Sequence, residues 1–317
     1  MTTKGCCCWS FLGADRAAAI VKKGDGQLRP PSDDVVKRAH AGDLIIKDLL
    51  VEHRAAIDVL KKSLSKSGNL AAADDDIFLL RYVLSFPDPA AAEEAVLKAK
   101  RYRREHAGLF ASAAKGEVLP CITKFDGKLP VGVWEHRTDL GQVVYIVRTG
   151  FCDSNVVLDE ADQKDILDNT MYHKEVIFLE LDRMTRKTGV LLKCFTVLDF
   201  ENVTMFGRPP PGTTEASAIS GYLYPQMAAK TIMINMPWFF GTLFSIVKPL
   251  LPAKVLEKIA MCPAKGTSSA ARREISECPF ASSLWSDPAK IPAFLGGTCP
   301  VSRVSSLWLA KDASVGR

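Results

Sequence analysis

Apolar positions along the chain follow a helical period first and a mixed strand and helix pattern from about residue 118 onward. Between Asp33 and Lys66, Val35, Val36, Leu44, Ile45, Leu49, Ala56, Ile57, Leu60 and Leu64 recur at spacings that suit one or two amphipathic helices. Asp74, Asp75 and Asp76 then open a short helix carrying Ile77, Leu79, Leu80 and Val83, with acids where its N-terminal N–H groups lack partners. Asp88 and Pro89, a capping residue before a first-turn proline, start a third helix that runs to about His106. The later β-rich runs are Val118–Phe125, Val131–Glu135, Val143–Val147, Leu191–Leu198 and Thr231–Asn235. Helices are expected over roughly Glu160–Arg186, Thr214–Met227 and Pro237–Val247. Strands separated by helices predict a mostly parallel β-sheet flanked by helices, so the fold class is α/β behind a helical N-terminal module. Residues 1–32 have little periodicity and read as a flexible tail. The helical module is placed at 33–110, the α/β domain at 111–300 and a C-terminal tail at 301–317.

The longest apolar stretch, Thr231–Leu251, is interrupted by Asn235, Pro237, Gly241 and Lys248. A membrane-spanning helix needs about 20 predominantly apolar residues in a row, so the stretch reads as strand, turn and helix. Its helix carries Trp238, Phe239, Phe240, Leu243, Phe244, Ile246 and Val247 and is apolar nearly all round. Such a helix is either buried on both faces as plain core, or covers a cavity and meets a membrane. Lys248, Lys254 and Lys258 follow it, cations placed to suit a phospholipid interface.

Composition narrows the classes. The 317 residues are 47% hydrophobic and 24% charged, ordinary for a globular protein. The net charge of +5, from 41 basic and 36 acidic residues, does not single out nucleic acid. Lys98–Arg104 is a basic run with Tyr102 as its one aromatic, and it reads as the solvated face of a helix. Nine cysteines show no paired zinc spacing and, with no signal peptide recognised, point to a reducing, cytosolic setting. Cys6, Cys7 and Cys8 are either acylation sites or unmodified thiols of the tail; Thr2 stands where a myristoyl signal would need glycine. The five histidines show no metal-binding spacing, so metal catalysis has no visible basis and no cofactor is expected.

Enzyme signatures for hydrolases, nucleotide enzymes and dehydrogenases are missing. Asp199 and Glu201, at the end of the Leu191–Leu198 strand, have no neighbouring nucleophile or histidine and read as structural. Gly296 and Gly297 read as a tight backbone turn.

The stretch Tyr224–Ile259, YPQMAAKTIMINMPWFFGTLFSIVKPLLPAKVLEKI, resembles the CRAL-TRIO family of phosphatidylinositol and phosphatidylcholine transfer proteins. That family's pattern runs YPE, IINAPW, KPFL and a KI pair. Asp74–Leu84, Thr196–Asn202 (TVLDFEN) and Ile291–Cys299 (IPAFLGGTC) match further family segments in order, and Asp139–Tyr145 matches its hairpin more weakly.

The resemblance implies a non-enzymatic lipid-binding and lipid-transfer protein, with an apolar cavity floored by the sheet and closed by Pro237–Val247 as a gate helix. It implies headgroup contacts from Lys258, Gln226, Thr196 and Cys194. Cavity and gate positions would be Ile232, Ile234, Trp238, Phe239, Phe240, Leu243, Phe244 and Val247, with Trp134 and Tyr172 either lining the headgroup region or packing in the core. Lys248 and Lys254 would touch the membrane. Cys194 replaces a serine of the family, Gln226 a glutamate, Val255 a threonine and Phe86-Pro87 a basic pair. Those departures leave two ligands open: a phospholipid, foremost phosphatidylinositol, or a neutral hydrophobe such as a tocopherol, retinoid or sterol. A regulatory module without transfer is the third reading. The expected setting is a cytosolic monomer that associates peripherally with membranes, Golgi or endosomal among them.

Overall fold

Asp75 and Asp88 cap two helices through their side chains, accepting from the backbone N–H groups of Phe78 and Ala91 at 2.9 Å each. These belong to the helical layer of a computed structural model that describes residues 44–125, 128–139, 141–152, 163–203, 213–248, 256–265, 277–279 and 284–299. Residues 1–32 with Cys6–Cys8, Lys254, Val255, the 301–317 segment, and the side chains of Leu243, Ile246 and Val247 lie outside that description.

The helical layer comprises α1 (Ile46–Glu52), α2 (Arg54–Lys66), α3 (Asp76–Ser85), α4 (Pro89–Glu105) and α5 (Ala107–Lys115). The Val118–Phe125 run, expected as a strand, is instead α6 (Pro120–Phe125). Proline suits a first helical position and lacks the N–H a strand would need, while Cys121, Ile122 and Phe125 bury one face of a single turn. The remaining strands and α-helices among the described residues are β1 (Val131–Val133), β2 (Val144–Arg148), α7 (Gln163–Thr188), β3 (Cys194–Asp199), α8 (Thr213–Leu223), β4 (Ala228–Met236), α9 (Trp238–Val247) and β5 (Ile259–Pro263). The pattern reading did not separate β5 from the segment after the gate helix. Among the described residues no helix is long and apolar enough to cross a membrane.

The five strands lie in the order β1-β2-β3-β4-β5; β1 pairs antiparallel with β2 and every other pair is parallel. Alternation along each strand divides the side chains between two faces. On one face Ile146, Val197, Ile232 and Ala260 stand in register across the sheet, all almost fully buried. They are covered by Trp134, Trp285, Ile291 and Leu295. The other face meets α7 and α9.

A separate apolar core joins α1–α5 to α7 and α8 through Leu79, Val96, Met171, Phe178 and Ile219. Polar anchors cross the same seam. Arg103 forms a bidentate pair with buried Glu175, at 2.9 and 2.8 Å, and its guanidinium lies 4.5 Å from the Phe110 ring centre. Lys100 pairs with Asp74, and Tyr102 is buried. The basic run is therefore only partly a solvated face: Ala99 and Tyr102 are buried on the inward stripe of α4, and Lys100 and Arg103 reach inward to acidic partners.

One covalent link departs from the expectation of scattered, reduced thiols. Cys262 of β5 is bonded to Cys278, with Cα atoms 5.7 Å apart.

Candidate functional site

Tyr145, Thr196, Thr231 and Ile259 stand in register on the face of the sheet opposite the buried Ile146–Ala260 row. All four remain partly accessible, whereas the opposite row is sealed. The next row on the same face is Val147, Leu198, Met233 and Met261, whose outer members are also partly accessible. The sheet thus has one finished face and one that is incompletely covered.

Helices flank the open rows at both ends. Tyr172, Val176, Ile177 and Leu181 of α7 pack with Cys194 and Val133 at the N-terminal end of β3. At the opposite end Phe239 and Phe240 of α9 pack against Leu198, Met233 and Met236, with the Phe240 ring centre 5.0 Å from that of Phe200. The side chains on this face between the two helices, from Val, Met, Thr and Tyr residues, are mostly apolar with a few hydroxyls.

The entry of α9 is set by the end of β4. Asn235 adopts a left-handed φ of 57°, and the register shifts between Ile234 and Met236. Its Nδ2 donates to Asp199 Oδ1 at 2.9 Å, while Arg148 Nε donates to Asp199 Oδ2 at 3.2 Å. Asp199 is completely buried and also accepts from the Glu201 backbone N–H at 3.1 Å. Its oxygens are engaged in holding the turn, as a structural reading requires.

Several polar groups lie beside the open rows. Tyr145 OH and His173 Nδ1 are 3.5 Å apart, and Lys174 Nζ donates to Ser220 Oγ at 2.6 Å. Burial lowers His173 to about 4 and Lys174 to about 8, and raises the Cys194 thiol to about 12. The Cys194 sulfur is thus a neutral group beside Thr196, and its S–H donates to the Phe195 carbonyl at 3.3 Å. Lys193 is lowered to about 8, first by burial and then by the like charges of Lys258 and Arg81. Lys193 therefore feels the charges of both Lys258 and Arg81. Arg81 is buried, reaches Asp182 at 3.3 Å, and leaves Nε and Nη1 without a protein partner.

Of the residues singled out in the sequence, Cys194 and Thr196 share the incompletely covered face with Phe239 and Phe240. Ile232 and Ile234 point to the other face, under Trp285 and Leu295, and so does Trp134, whose Nε1 donates to the Lys290 carbonyl at 2.7 Å. Tyr172 is fully buried against α6 and β1 residues. Gln226, with φ 60°, donates to Ser85 Oγ at 3.0 Å and so sits at the seam with the helical layer. The Lys258 carbonyl accepts from Thr231 N at 2.7 Å, which places Lys258 at the start of β5. Phe244 is buried, Lys248 exposed, and Trp238 is 69% exposed at the first position of α9. Tyr145, Thr231, Met233 and Met261 were not singled out; strand alternation from Thr196 would have found Thr231 and Met233 once the pairing register was known.

Residues 128–278 match the model of the CRAL/TRIO domain. The chain is 27% identical over 219 residues to the SEC14 cytosolic factor of Eremothecium gossypii, an alignment covering 67% of this chain and 69% of that protein. It is 26% identical over 211 residues to the SEC14 cytosolic factor of Candida glabrata, covering 64% and 68%. Among solved structures, the crystal structure of Sfh5 is similar at a TM-score of 0.45 and 14% identity, over 61% of this chain and 66% of that one.

Proposed function

We propose that this chain, which carries a CRAL/TRIO domain, binds one lipid over the open face of its sheet and transfers it between membranes, without a catalytic step. The observation that carries the reading is the partly accessible row Tyr145–Thr196–Thr231–Ile259, set between α7 and α9 while the opposite face is sealed. Two acyl chains exposed to water cost roughly 0.8 kcal/mol per CH₂, so an apolar space beside Val147, Met233 and Met261 lowers the barrier to desorption. In this reading α9 is the gate, hinged at the Asn235 to Pro237 turn, and exposed Trp238 with Lys248 meets the bilayer.

The leading ligand is a phospholipid with an anionic head, foremost phosphatidylinositol. Its support is Lys193, whose proton affinity the charges of Lys258 and Arg81 lower in addition to burial, a repulsion that a phosphate would relieve. Cytosolic residence with peripheral membrane contact fits this reading, and the fungal relatives are themselves named cytosolic factors.

Native mass spectrometry of protein purified from cells, paired with vesicle-to-vesicle transfer, tests both levels. Recovery of lipid-free protein alone, with no transfer, overturns lipid carriage. Lys258→Ala should cut phosphatidylinositol transfer several-fold; unchanged transfer would favour a neutral hydrophobe instead.

A further inference from the structure

We propose that Glu135, His136 and Cys299 form a binding site for a divalent metal ion of the zinc class, on the sealed side of the sheet and away from the lipid site. The three ligand atoms make a nearly equilateral triangle. Cys299 Sγ lies 3.4 Å from Glu135 Oε1 and 3.7 Å from His136 Nε2, and the last two atoms are 3.6 Å apart. Tetrahedral zinc with bonds of about 2.3 Å to sulfur and about 2.0 to 2.2 Å to nitrogen and oxygen requires edges of about 3.4 to 3.6 Å. Two of the observed edges fall in that range, and the Cys299–His136 edge of 3.7 Å lies just above it.

The chain brings these groups together deliberately. Consecutive residues of a strand point to opposite sides, but the backbone bends at Glu135 and His136 directly after β1, so both reach one sulfur. Cys299 arrives from 163 residues away in the sequence, and is pinned by paired backbone hydrogen bonds, Cys299 N to Ile291 O at 3.1 Å and Ala293 N to Cys299 O at 3.0 Å. The turn that returns it is tight: a Cβ on Gly297 would lie 2.1 Å from the Ile291 carbonyl oxygen. Thiolate, imidazole and carboxylate together favour zinc over calcium or magnesium, which prefer all-oxygen shells.

On binding, the Cys299 thiol releases its proton to solvent and the sulfur forms the metal bond, with no redox change. His136 enters neutral through Nε2 and Glu135 as the carboxylate. The fourth position falls to water, since Glu135 and His136 are on the solvent side while Cys299 is buried. The ion would clip the terminal Ile291–Cys299 turn to the loop after β1, a structural role that sequence spacing could not reveal.

Cobalt(II), a spectroscopic substitute for zinc, provides the test on the full chain under anaerobic conditions. The wild-type protein should bind an equivalent that shows a thiolate charge-transfer band and is displaced by zinc. Cys299→Ser should abolish that band, and His136→Ala should weaken the binding by at least about tenfold. His136 is partly exposed, so its variant keeps the test open if Cys299→Ser fails to fold. A wild-type protein without the band, or a band of unchanged strength and affinity in both variants, overturns the proposal.

Discussion

Asn235 Nδ2 donates a 2.9 Å hydrogen bond to Asp199 Oδ1, and the same asparagine holds a left-handed φ of 57°. One residue thus satisfies a buried carboxylate at the end of β3 and bends β4 so that Pro237 can start α9. A hydrogen bond to a charged group contributes about 1.5 to 3 kcal/mol, and a left-handed backbone costs a non-glycine residue about 1 to 2 kcal/mol. Asn235→Ala should therefore destabilise the protein by about 1.5 to 3 kcal/mol in urea unfolding for the lost bond, plus the smaller margin by which alanine tolerates the left-handed backbone less well than asparagine. Asn235→Gly loses the bond but accepts the backbone, and should lose less. A glycine variant as unstable as the alanine one would show that the backbone conformation contributes nothing.

Much of this arrangement is legible in the sequence, and the exceptions have physical causes. Asp75 and Asp88 announce their helices because capping is a local interaction. The Thr231–Leu251 stretch divides at Pro237 as its Asn, Pro and Gly residues require, giving β4 and then α9. Alternation along β4 separates Ile232 from Met233, yet nothing local says which face is sealed. That depends on Trp285, Ile291 and Leu295 arriving from the end of the chain. The same limit hid the inward turn of Arg103, whose partner Glu175 lies 72 residues away. It also hid the meeting of Glu135 and His136 with Cys299.

Arg103 and Glu175 join the helical layer to α7. Glu175 is buried and accepts both guanidinium bonds, so removing the arginine leaves a carboxylate without its cation inside the protein. Arg103→Ala should cost about 2 to 4 kcal/mol in unfolding free energy. Arg103→Met with Glu175→Leu should recover part of that loss, since burying neither charge is cheaper than burying one. A double variant no more stable than Arg103→Ala alone would place the effect in packing against Phe110 instead.

His173 and Lys174 sit side by side on α7, both with proton affinity lowered by burial, to about 4 and about 8. A group whose folded pKa is depressed binds protons more readily when unfolded. Between its ordinary value near 6.5 and about 4, His173 thus draws the equilibrium toward the unfolded chain, and stability falls as pH falls through that window. The wild-type protein should lose about 2 to 3 kcal/mol more than His173→Gln between those limits. Carboxylates that lose partners in acid are common to both proteins and cancel in the difference. Lys174 and Lys193 act at the alkaline end: stability should rise as pH climbs from about 8 toward 10.5, and Lys174→Met should remove only its own share of the rise. Parallel pH profiles for His173→Gln and wild type would place His173 in contact with water.

Trp238 is 69% exposed at the first turn of α9, with its ring 6.0 Å from that of Phe239 in an edge contact. An indole held in water on a helix that otherwise packs on the sheet gives up little when removed. Trp238→Ala should therefore shift unfolding stability by no more than about 0.5 kcal/mol. At a bilayer surface the same indole gains an apolar environment for its ring, an effect of about 1.5 to 3 kcal/mol for a large side chain. Vesicle cosedimentation should accordingly weaken by roughly 10-fold to 100-fold in the variant. Under the proposed role of α9 as a gate, the transfer rate should fall in parallel. Phe240→Ala, on the inner side of the same helix, separates the two functions: it should leave vesicle affinity nearly intact while lowering the amount of lipid retained after purification. Equal vesicle affinity for wild type and Trp238→Ala would remove α9 as the membrane-facing element.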